Sequence, residues 1–369
     1  MTLRPRAVFC VLFVAFLLSM PSVSFADPPV AEIFALVREK ALYRPEVLPE
    51  EETVREEAAL NAFLRSFDRY AAWFSSERLQ KRQGVRHVAP CGVGMAVVQD
   101  KQEKLIGIPY DGSPAERAGL RYGDEIVAVE GRPVRGMDME DVALAIRGEE
   151  GSSVSLMVRR HDGGTRTLTM TRQKVEAPLL SRTEEAGGVR LRLHQFTPKL
   201  VGLLEDELLA MAKKPPRSLI LDLRGNNGGD LEAALACAEM FLPEGAEVMR
   251  SRDTEGEHVR RAVKNGVAAS WHCDMVLWQD GLTASAAEAF IAALSQAGRA
   301  ESLGVTSAGK ASVQTLFRLE GGVLKLTTEQ LLFPGQHFSW QESGLRPDEF
   351  VKVEKREALF VEKKTEVYQ

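Results

Sequence analysis

Residues 218–230 read Ser-Leu-Ile-Leu-Asp-Leu-Arg-Gly-Asn-Asn-Gly-Gly-Asp, an apolar run followed by a glycine-rich turn. The run is typical of a buried strand, and the residues from the turn to Phe241 predict a helix. The same alternation extends in both directions, with predicted strands at 189–193 and 275–277 and predicted helices at 200–211 and 285–297. Alternating strands and helices indicate an α/β core in which helices cover a sheet.

Two regions of different character precede this core. Residues 30–83 carry apolar side chains at helical spacing and are predicted to be helical. Farther on, glycines and short alternating runs predict a small β-rich domain interrupted by one helix at 139–146. Two late strands are predicted at 312–318 and 323–328. The expected division of the chain is a helical region at 27–84, a β-rich domain at 85–175, the α/β core at 176–350 and a charged, peripheral tail at 351–369.

The first 26 residues have the pattern of a secretory signal peptide. Arg4 and Arg6 precede an uncharged run of 13 residues from Val8 to Met20, and small residues stand at Ser24 and Ala26. The run is shorter than the roughly 20 residues that a membrane-spanning helix needs. We therefore expect export, with cleavage after Ala26, to the periplasm or another extracytoplasmic compartment.

Composition narrows the possible ligands. The chain has a net charge of −5 with interspersed signs, which gives no electrostatic case for binding nucleic acid or an anionic membrane. The sequence has neither glycine pattern that binds nucleotides. Cys91, Cys237 and Cys273 lack the spacing of a zinc site and are expected to be unpaired thiols. We expect no metal and no cofactor.

Residues 283–288, Thr-Ala-Ser-Ala-Ala-Glu, allow two interpretations. Ser285 and Glu288 have the spacing of a helix capping box, which is a purely structural feature. A serine at a helix start also stands where backbone N–H groups stabilise negative charge, which suits a nucleophile beside an oxyanion. The fragment alone favours capping.

A nucleophilic serine needs a base, and none of the six histidines lies in a recognisable hydrolase setting. The Gly-x-Ser-x-Gly elbow motif is also absent. Lys310 is the only charged residue between Leu303 and Phe317. A lysine can act as the base if an apolar setting keeps it neutral, although a solvated loop lysine is the commoner case. Gln314 could accept a hydrogen bond from its amine and orient it.

Two glycine-containing loops could present backbone N–H groups. Gly228 and Gly229, at the turn after the central strand, could complete an oxyanion hole, or they could form an ordinary strand–helix turn. The loop of Gly92, Val93, Gly94 and Met95, which are consecutive and precede a strand, could bind a peptide carboxylate while the peptide adds as an extra strand. A hairpin turn without a ligand is the alternative.

Together these segments resemble the C-terminal processing peptidases, or tail-specific proteases, of serine peptidase family S41. The segment 92–158 resembles the PDZ domain of that family, through Gly-Val-Gly-Met, Ser-Pro-Ala-Glu-Arg-Ala-Gly-Leu and Gly-Asp-Glu-Ile-Val-Ala-Val-Glu-Gly. The segments 220–230, 283–288, 309–314 and 344–348 resemble its later motifs, in the family's order. The resemblance covers nearly all of the chain after the signal peptide.

The resemblance implies a fold and a set of roles. The fold is an α/β protein with a helical N-terminal region, an inserted β-rich PDZ domain and a ClpP/crotonase-like protease core. Ser285 matches the family's nucleophile, Lys310 its general base and Gln314 the residue that orients the lysine. The oxyanion hole is expected at the N–H of Ala286 and that of Gly228 or Gly229. Several neighbours depart from the family pattern: Thr283, Ala287, Gly225, Asn227, Ala311 and Ser312.

The expected function is cleavage of exported proteins. The PDZ domain is expected to bind apolar C-terminal tails at Gly92–Met95, and Ser285 to cleave through an acyl-enzyme. An adaptor or activator protein and a homo-oligomer through the N-terminal helices are further possible partners. Two other interpretations remain open: a PDZ scaffold that binds peptides without cleaving them, and a crotonase-like acyl-CoA enzyme, which leaves the signal peptide and Lys310 unexplained.

Overall fold

A computed structural model describes residues 27–88, 91–160, 162–185 and 188–351. The predicted signal peptide, residues 1–26, and the tail from residue 352 lie outside the described residues. The helices are α1 (Val30–Lys40), α2 (Glu57–Phe67), α3 (Ser76–Val88), α4 (Pro114–Arg117), α5 (Met139–Ile146), α6 (Pro198–Met211), α7 (Leu231–Glu239) and α8 (Ala286–Gln296), with a 3₁₀ turn at Glu51–Val54.

The strands form three sheets. They are β1 (Ala72–Ser75), β2 (Met95–Gln99), β3 (Leu105–Pro109), β4 (Asp124–Val129), β5 (Arg132–Pro133), β6 (Ser153–Arg159), β7 (Thr165–Thr171), β8 (Leu180–Glu185), β9 (Gly188–Leu193), β10 (Ser218–Asp222), β11 (Glu247–Arg252), β12 (Glu257–Arg261), β13 (Asp274–Gln279), β14 (Glu301–Gly304), β15 (Ser312–Leu319), β16 (Gly322–Leu332) and β17 (Glu349–Phe350). The chain divides into two compact units, one of residues 1–178, 250–259 and 311–332 and one of residues 179–249, 260–310 and 333–369.

The second unit is built on a six-stranded sheet in the order β17-β14-β13-β10-β9-β8. All neighbours in it are parallel except β8 and β9. Every residue of α8 from Ala286 to Leu294 is buried, so this helix is hydrophobic on all sides, as a central helix is. The α/β core expected from the central strand–turn–helix pattern is confirmed.

The order of this sheet brings three loops to one edge. Strands β10, β13 and β14 are adjacent and parallel, so the residues that follow each of them leave from the same end of the sheet. These loops are 223–230, 280–285 and 305–310, and they contain the predicted glycine turn, Ser285 and Lys310. The carboxyl ends of parallel strands are where α/β proteins place their ligands.

The β-rich domain lies in the first unit. Its antiparallel sheet has the order β2-β3-β4-β6-β7, with β5 paired to β4, and β2 is an edge strand. Its core contains Val93, Ile126, Val142, Ile146 and Leu156, which are all buried. The inserted domain expected between the helical region and the core is thus present as a folded, β-rich structure.

The N-terminal region contains a strand where the sequence analysis predicted helix throughout. Residues 72–75 form β1 and pair antiparallel with β16, so the prediction of helix over 30–83 is wrong at this point. The side chain of Asn61 on α2 donates to the Trp73 carbonyl oxygen at 3.0 Å and accepts from the Trp73 N–H at 2.6 Å. The Asn61 side chain thus supplies the hydrogen bonds that a second neighbouring strand would otherwise make with Trp73. The spacing of apolar residues in the sequence contains no information about these bonds.

No helix among the described residues has both the length and the hydropathy needed to cross a bilayer. The three cysteines after residue 26 are unpaired in the structure, as expected: Cys91 and Cys237 are buried, and Cys273 is half-buried. Burial raises the pKa of the Cys237 thiol to about 12.

Candidate active site

Ser285 stands at a strained turn at the start of α8. Its backbone has φ +58° and ψ −122°, a conformation that costs a non-glycine residue free energy and is concentrated at functional positions. The turn has the character of a nucleophile elbow, in which a serine is presented between a strand and a helix. The absence of the Gly-x-Ser-x-Gly motif therefore did not exclude such a turn.

Gly228 packs directly against this serine. A Cβ atom at residue 228 would lie 2.8 Å from the carbonyl oxygen of Ala284 and the nitrogen of Ala286, and 2.9 Å from the Cβ of Ser285. Real Cβ atoms do not come so close, so only glycine fits, and its φ of +101° also requires glycine. The predicted glycine turn and the predicted nucleophile are thus brought into contact.

Glu288 collects four hydrogen bonds on a fully buried carboxylate. Its Oε2 accepts from the backbone N–H groups of Ser285 and Lys310, both at 2.8 Å. Its Oε1 accepts from the Gly309 N–H at 2.7 Å and from the Ser307 hydroxyl at 2.5 Å. Two donors on each oxygen fill the acceptor positions of an ionised carboxylate. Burial raises the pKa of Glu288 and the four hydrogen bonds lower it, with a net upward shift.

Lys310 ends the third loop and is partly buried. Its N–H is held by Glu288, and Ala308, two residues before it, donates its N–H to the Thr283 carbonyl oxygen at 2.9 Å. These bonds fix the backbone of the lysine loop against the turn that carries Ser285. The structure therefore brings Ser285, Ala286, Gly228 and the Lys310 loop into one place.

The side chains of Thr283 and Asp280 join the glycine loop to the serine loop, and that of Asn226 bonds within the glycine loop. The buried hydroxyl of Thr283 donates to the Leu223 carbonyl oxygen at 2.9 Å. The Asp280 carboxylate accepts from the Gly225 N–H at 3.1 Å and from N–H groups of its own loop. Asn226 accepts from the Gly228 N–H at 2.9 Å through Oδ1. Thr283 is therefore a structural residue at the position where the family pattern has serine.

A buried ion pair lies at the carboxyl end of β10. The Arg224 guanidinium donates to both oxygens of Asp222, at 2.8 and 2.7 Å, and lies 4.2 Å from the centre of the Trp278 ring. Burial raises the pKa of Asp222, but the hydrogen bonds and charge of Arg224 outweigh it and hold that pKa below its usual range. The pair thus stays ionised and fixes the start of the glycine loop.

Two of the predicted site segments lie in the first unit. Gln314 is on β15, and its Nε2 donates to the carbonyl and hydroxyl oxygens of Ser312 at 3.1 and 3.0 Å. In the loop of Gly92–Met95, the Gly92 N–H donates to the Gln173 carbonyl oxygen at 3.0 Å, and Gly94 has φ +74°. Met95 begins the edge strand β2.

The sequence analysis missed the central place of Glu288. Its spacing from Ser285 indicated a capping box, and the bond from the Ser285 N–H is present. The bonds to Ser307, Gly309 and Lys310 come from a loop about 20 residues farther along the chain. The spacing of residues along a helix does not predict bonds to a distant loop. The one available signal was an acidic residue in an otherwise apolar helix.

Comparison with known proteins places similar sequences in one peptidase family. Residues 189–351 match the model of peptidase family S41, and residues 109–160 match that of a PDZ domain. The chain is 30% identical over 302 residues to the carboxy-terminal processing protease CtpA of Bacillus subtilis (strain 168), covering 81% of this chain and 64% of the relative. It is 26% identical to a probable CtpA-like serine protease of Staphylococcus aureus (strain bovine RF122 / ET3-1), covering 75% of this chain and 56% of the relative.

The chain thus spans less than two thirds of the length of these two relatives. Among solved structures, the photosystem II D1 C-terminal processing protease has the same fold, with a TM-score of 0.74 and 24% identity over 88% of this chain and 92% of that one. The expected fold class is confirmed by this likeness. Residues 189–351, which contain the Ser285 and Lys310 loops, are thus similar to peptidase family S41, and residues 109–160 ahead of them are similar to a PDZ domain.

Proposed function

We propose that this protein is an exported serine endopeptidase that cleaves proteins near apolar C-terminal tails, with Ser285 as nucleophile and Lys310 as general base. The observation that carries the proposal is the shared hydrogen bonding of the two residues: both backbone N–H groups bind one oxygen of the buried Glu288. The similarity of residues 189–351 to peptidase family S41 supports a serine-type peptidase, and the strained turn at Ser285 supports a nucleophile at that residue.

The proposed reaction proceeds by acyl transfer. The neutral amine of Lys310 removes the proton of the Ser285 hydroxyl as its oxygen attacks the scissile carbonyl carbon. The tetrahedral intermediate collapses, the C–N bond breaks, and the leaving amine takes the proton from Lys310. Water then attacks the acyl-enzyme as Lys310 accepts one of its protons. The ester C–O bond breaks, Lys310 returns that proton to the Ser285 oxygen, and the carboxylic acid product is released.

The proposed oxyanion donors are the N–H groups of Ala286 and Gly229. Ala286 is the first residue of α8, where N–H groups point out of the helix and the dipole favours negative charge. Of the two glycines, Gly228 already donates its N–H to Asn226. Because of that bond, we propose Gly229 as the second donor, where the sequence analysis left either Gly228 or Gly229.

Tail recognition is proposed for the PDZ domain. The edge strand β2 can accept a further strand, and the loop ahead of it offers N–H groups to a terminal carboxylate. Since the Gly92 N–H is already bonded to Gln173, we assign the carboxylate to Val93, Gly94 and Met95. Gln314 is proposed to orient the Lys310 amine through Oε1, because its Nε2 is bonded to Ser312.

The same proposal covers location and partners. Residues 1–26 are proposed to direct export to the periplasm or another extracytoplasmic compartment. Exported proteins with apolar C-terminal tails are the proposed substrates, and an adaptor or activator and a homo-oligomer through α1 and α2 are possible further partners. The chemistry of Ser285 and Lys310 uses no metal and no cofactor.

The test is cleavage of a disordered reporter protein with an apolar C-terminal tail at pH 7 to 9. The parent without residues 1–26 is compared with Ser285→Ala and Lys310→Ala. The matched controls are Ser270→Ala and Lys264→Ala, which change the same residue types at exposed positions of the same unit. We expect cleavage by the parent and both controls, and none by the two site variants.

The other outcomes separate the alternatives. A parent that binds the tail without cutting it supports the scaffold interpretation, or an enzyme that needs an activator. Equal cleavage by all five proteins shows that another site performs the reaction. Hydrolysis of an acyl-CoA thioester in place of the reporter supports the crotonase-like interpretation.

A further inference from the structure

A late segment of the chain is bound to the loop that carries Lys310. The Glu342 N–H donates to the Gly309 carbonyl oxygen at 2.7 Å, and the Ser307 N–H donates to the Leu345 carbonyl oxygen at 3.2 Å. A Cβ at residue 309 would lie 2.8 Å from the Gly344 nitrogen, so the two stretches are in close backbone contact. The segment 342–348 therefore forms one wall of the Lys310 loop.

The Ser307 hydroxyl is the polar link between this segment and Glu288. Its oxygen accepts from the Leu345 N–H at 2.7 Å, and its proton is donated to Oε1 of Glu288 at 2.5 Å. A hydroxyl has one proton, and an ionised carboxylate can only accept, so the direction of both bonds is determined. Ser307 is fully buried, so water cannot replace either bond without rearrangement.

We propose that Ser307 is a positioning residue, whose hydroxyl ties the 342–348 segment to Glu288 and thereby fixes the Lys310 backbone beside that of Ser285. The inference rests on the proposed function, since positioning matters for activity only if these two residues react. The path runs through four consecutive hydrogen-bonded contacts, from Leu345 to Ser307, then to Glu288, and from Glu288 to the two backbone N–H groups.

Removal of the Ser307 hydroxyl would also change the protonation of Glu288, besides weakening the attachment of the 342–348 segment. Glu288 would keep three donors and lose a charge-assisted bond in a site without solvent, which favours its protonated form. A protonated carboxyl has no negative charge, so its hydrogen bonds from the N–H groups of Ser285, Gly309 and Lys310 would weaken. The other charged or titratable side chains on the contacting segments are Asp280, Lys310, Glu342, Arg346 and Asp348.

The test compares the parent with Ser307→Ala and with a matched control, Ser302→Ala. Ser302 is also a buried serine that holds the late segment, through Asp348, with bonds of 2.8 and 3.0 Å, and it makes none of the bonds to Glu288. The readout is the rate of Ser285 labelling by a serine-directed fluorophosphonate from pH 5.5 to 9, with thermal unfolding to establish folding.

We expect Ser307→Ala to be labelled about tenfold more slowly at neutral pH, the effect of losing one charge-assisted hydrogen bond. As the pH is lowered from 9 to 5.5, the labelling rate of Ser307→Ala should also begin to fall at a higher pH than the labelling rate of the parent. Ser302→Ala should lose thermal stability but keep the parent's rate within about twofold and the parent's pH dependence. A folded Ser307→Ala protein that behaves like Ser302→Ala overturns the inference.

A second readout keeps the inference separate from the proposed function. Amide hydrogen exchange over residues 307–311 is measured by mass spectrometry in the same three proteins. Faster exchange in Ser307→Ala than in Ser302→Ala is expected, even if the parent proves unreactive and the proposed function fails. Equal exchange in the two variants overturns the positioning role regardless of activity.

Discussion

Ser285 and Lys310 donate their backbone N–H groups to the same oxygen of Glu288, each at 2.8 Å. The two residues are 25 positions apart in sequence (310 − 285) and follow different strands of the sheet. A single buried carboxylate therefore sets the distance between their backbones. In the proposed mechanism the serine and lysine side chains react, while their main-chain N–H groups hold the two loops together through Glu288.

Replacing Glu288 with Gln should slow the reaction without large changes in shape. The amide nitrogen would face N–H donors where the carboxylate accepts, so two of the four bonds are lost. We expect fluorophosphonate labelling of Ser285 to fall by at least about tenfold, since each bond is charge-assisted. Glu301→Gln, at an exposed glutamate on β14, is the control and should label like the parent. Equal rates for both variants would contradict the role of Glu288.

Replacing Gly228 with Ala should displace Ser285. The added Cβ would lie under 3.0 Å from three atoms of residues 284–286, and backbone atoms there cannot move without shifting the start of α8. Gly245→Ala is a matched control, because Gly245 also has a positive φ but nothing lies within 4 Å of its added Cβ. We expect both variants to lose about 1 kcal/mol of stability from backbone strain, and only Gly228→Ala to lose most of its activity.

Arg82 should contribute to the stability of the first unit. Its guanidinium, 8% exposed, binds Asp138, Glu140 and Asp141 at the start of the PDZ helix α5, at 3.1, 3.0 and 2.8 Å. Arg82→Met would remove the guanidinium that these three carboxylates share, while Asp138 and Asp141 would keep Arg78 as a partner. The acids are 24–30% exposed, so we expect a loss of about 1–3 kcal/mol, below the range for fully buried pairs.

Urea unfolding at low and high salt measures this loss. The neighbouring Lys81 is exposed, so Lys81→Met is the matched control and should unfold like the parent. If Arg82→Met also unfolds like the parent, the ion cluster contributes nothing to stability.

Lys325 predicts a pH dependence of stability. Burial lowers the pKa of its amine from the ordinary value of 10.5, helped by Arg65 and Arg82 and opposed by Asp138 and Asp68. A lowered folded-state pKa means that the stability contributed by Lys325 is complete above about pH 10.5 and declines as pH falls through the folded pKa. Lys325→Met, which carries no charge, should therefore exceed the parent's free energy of unfolding at pH 7.

The measurement is denaturant unfolding of parent and Lys325→Met between pH 7 and 10. The advantage of the variant should shrink as the pH approaches 10, because the folded-state amine of the parent loses its proton at a lower pH than the unfolded-state amine and its buried charge is then gone. Lys101→Met, at an exposed lysine, should show no such trend. A constant difference across this range would contradict the buried-amine explanation.

Much of the fold followed from local pattern. The helix predicted at 139–146 has those bounds in α5, and the strands predicted at 189–193 and 312–318 each differ from β9 and β15 by one residue at one end. The missed strands are those whose pattern is weak: β14 is four residues long and largely polar, and β12 carries mostly charged side chains. They become strands because parallel or antiparallel neighbours pair with them, which is a tertiary effect.

In the candidate site too, some residues could be predicted from the sequence and others could not. Motif order was enough to select Ser285, Lys310 and the glycine loop as candidates, and the structure brings these loops together at one sheet edge. The support by Glu288, Ser307 and Thr283 depends on loops that meet only after β10, β13 and β14 pair. Such contacts have no periodic signature in the sequence.

The central claim is that Ser285 is the nucleophile, activated by Lys310. Its most direct test is mass spectrometry of the protein after reaction with a fluorophosphonate, followed by identification of the modified peptide. We predict one adduct, on Ser285, in the parent, and none in Lys310→Ala although that variant remains folded. An adduct on another serine, or full labelling of Ser285 in Lys310→Ala, would contradict the account.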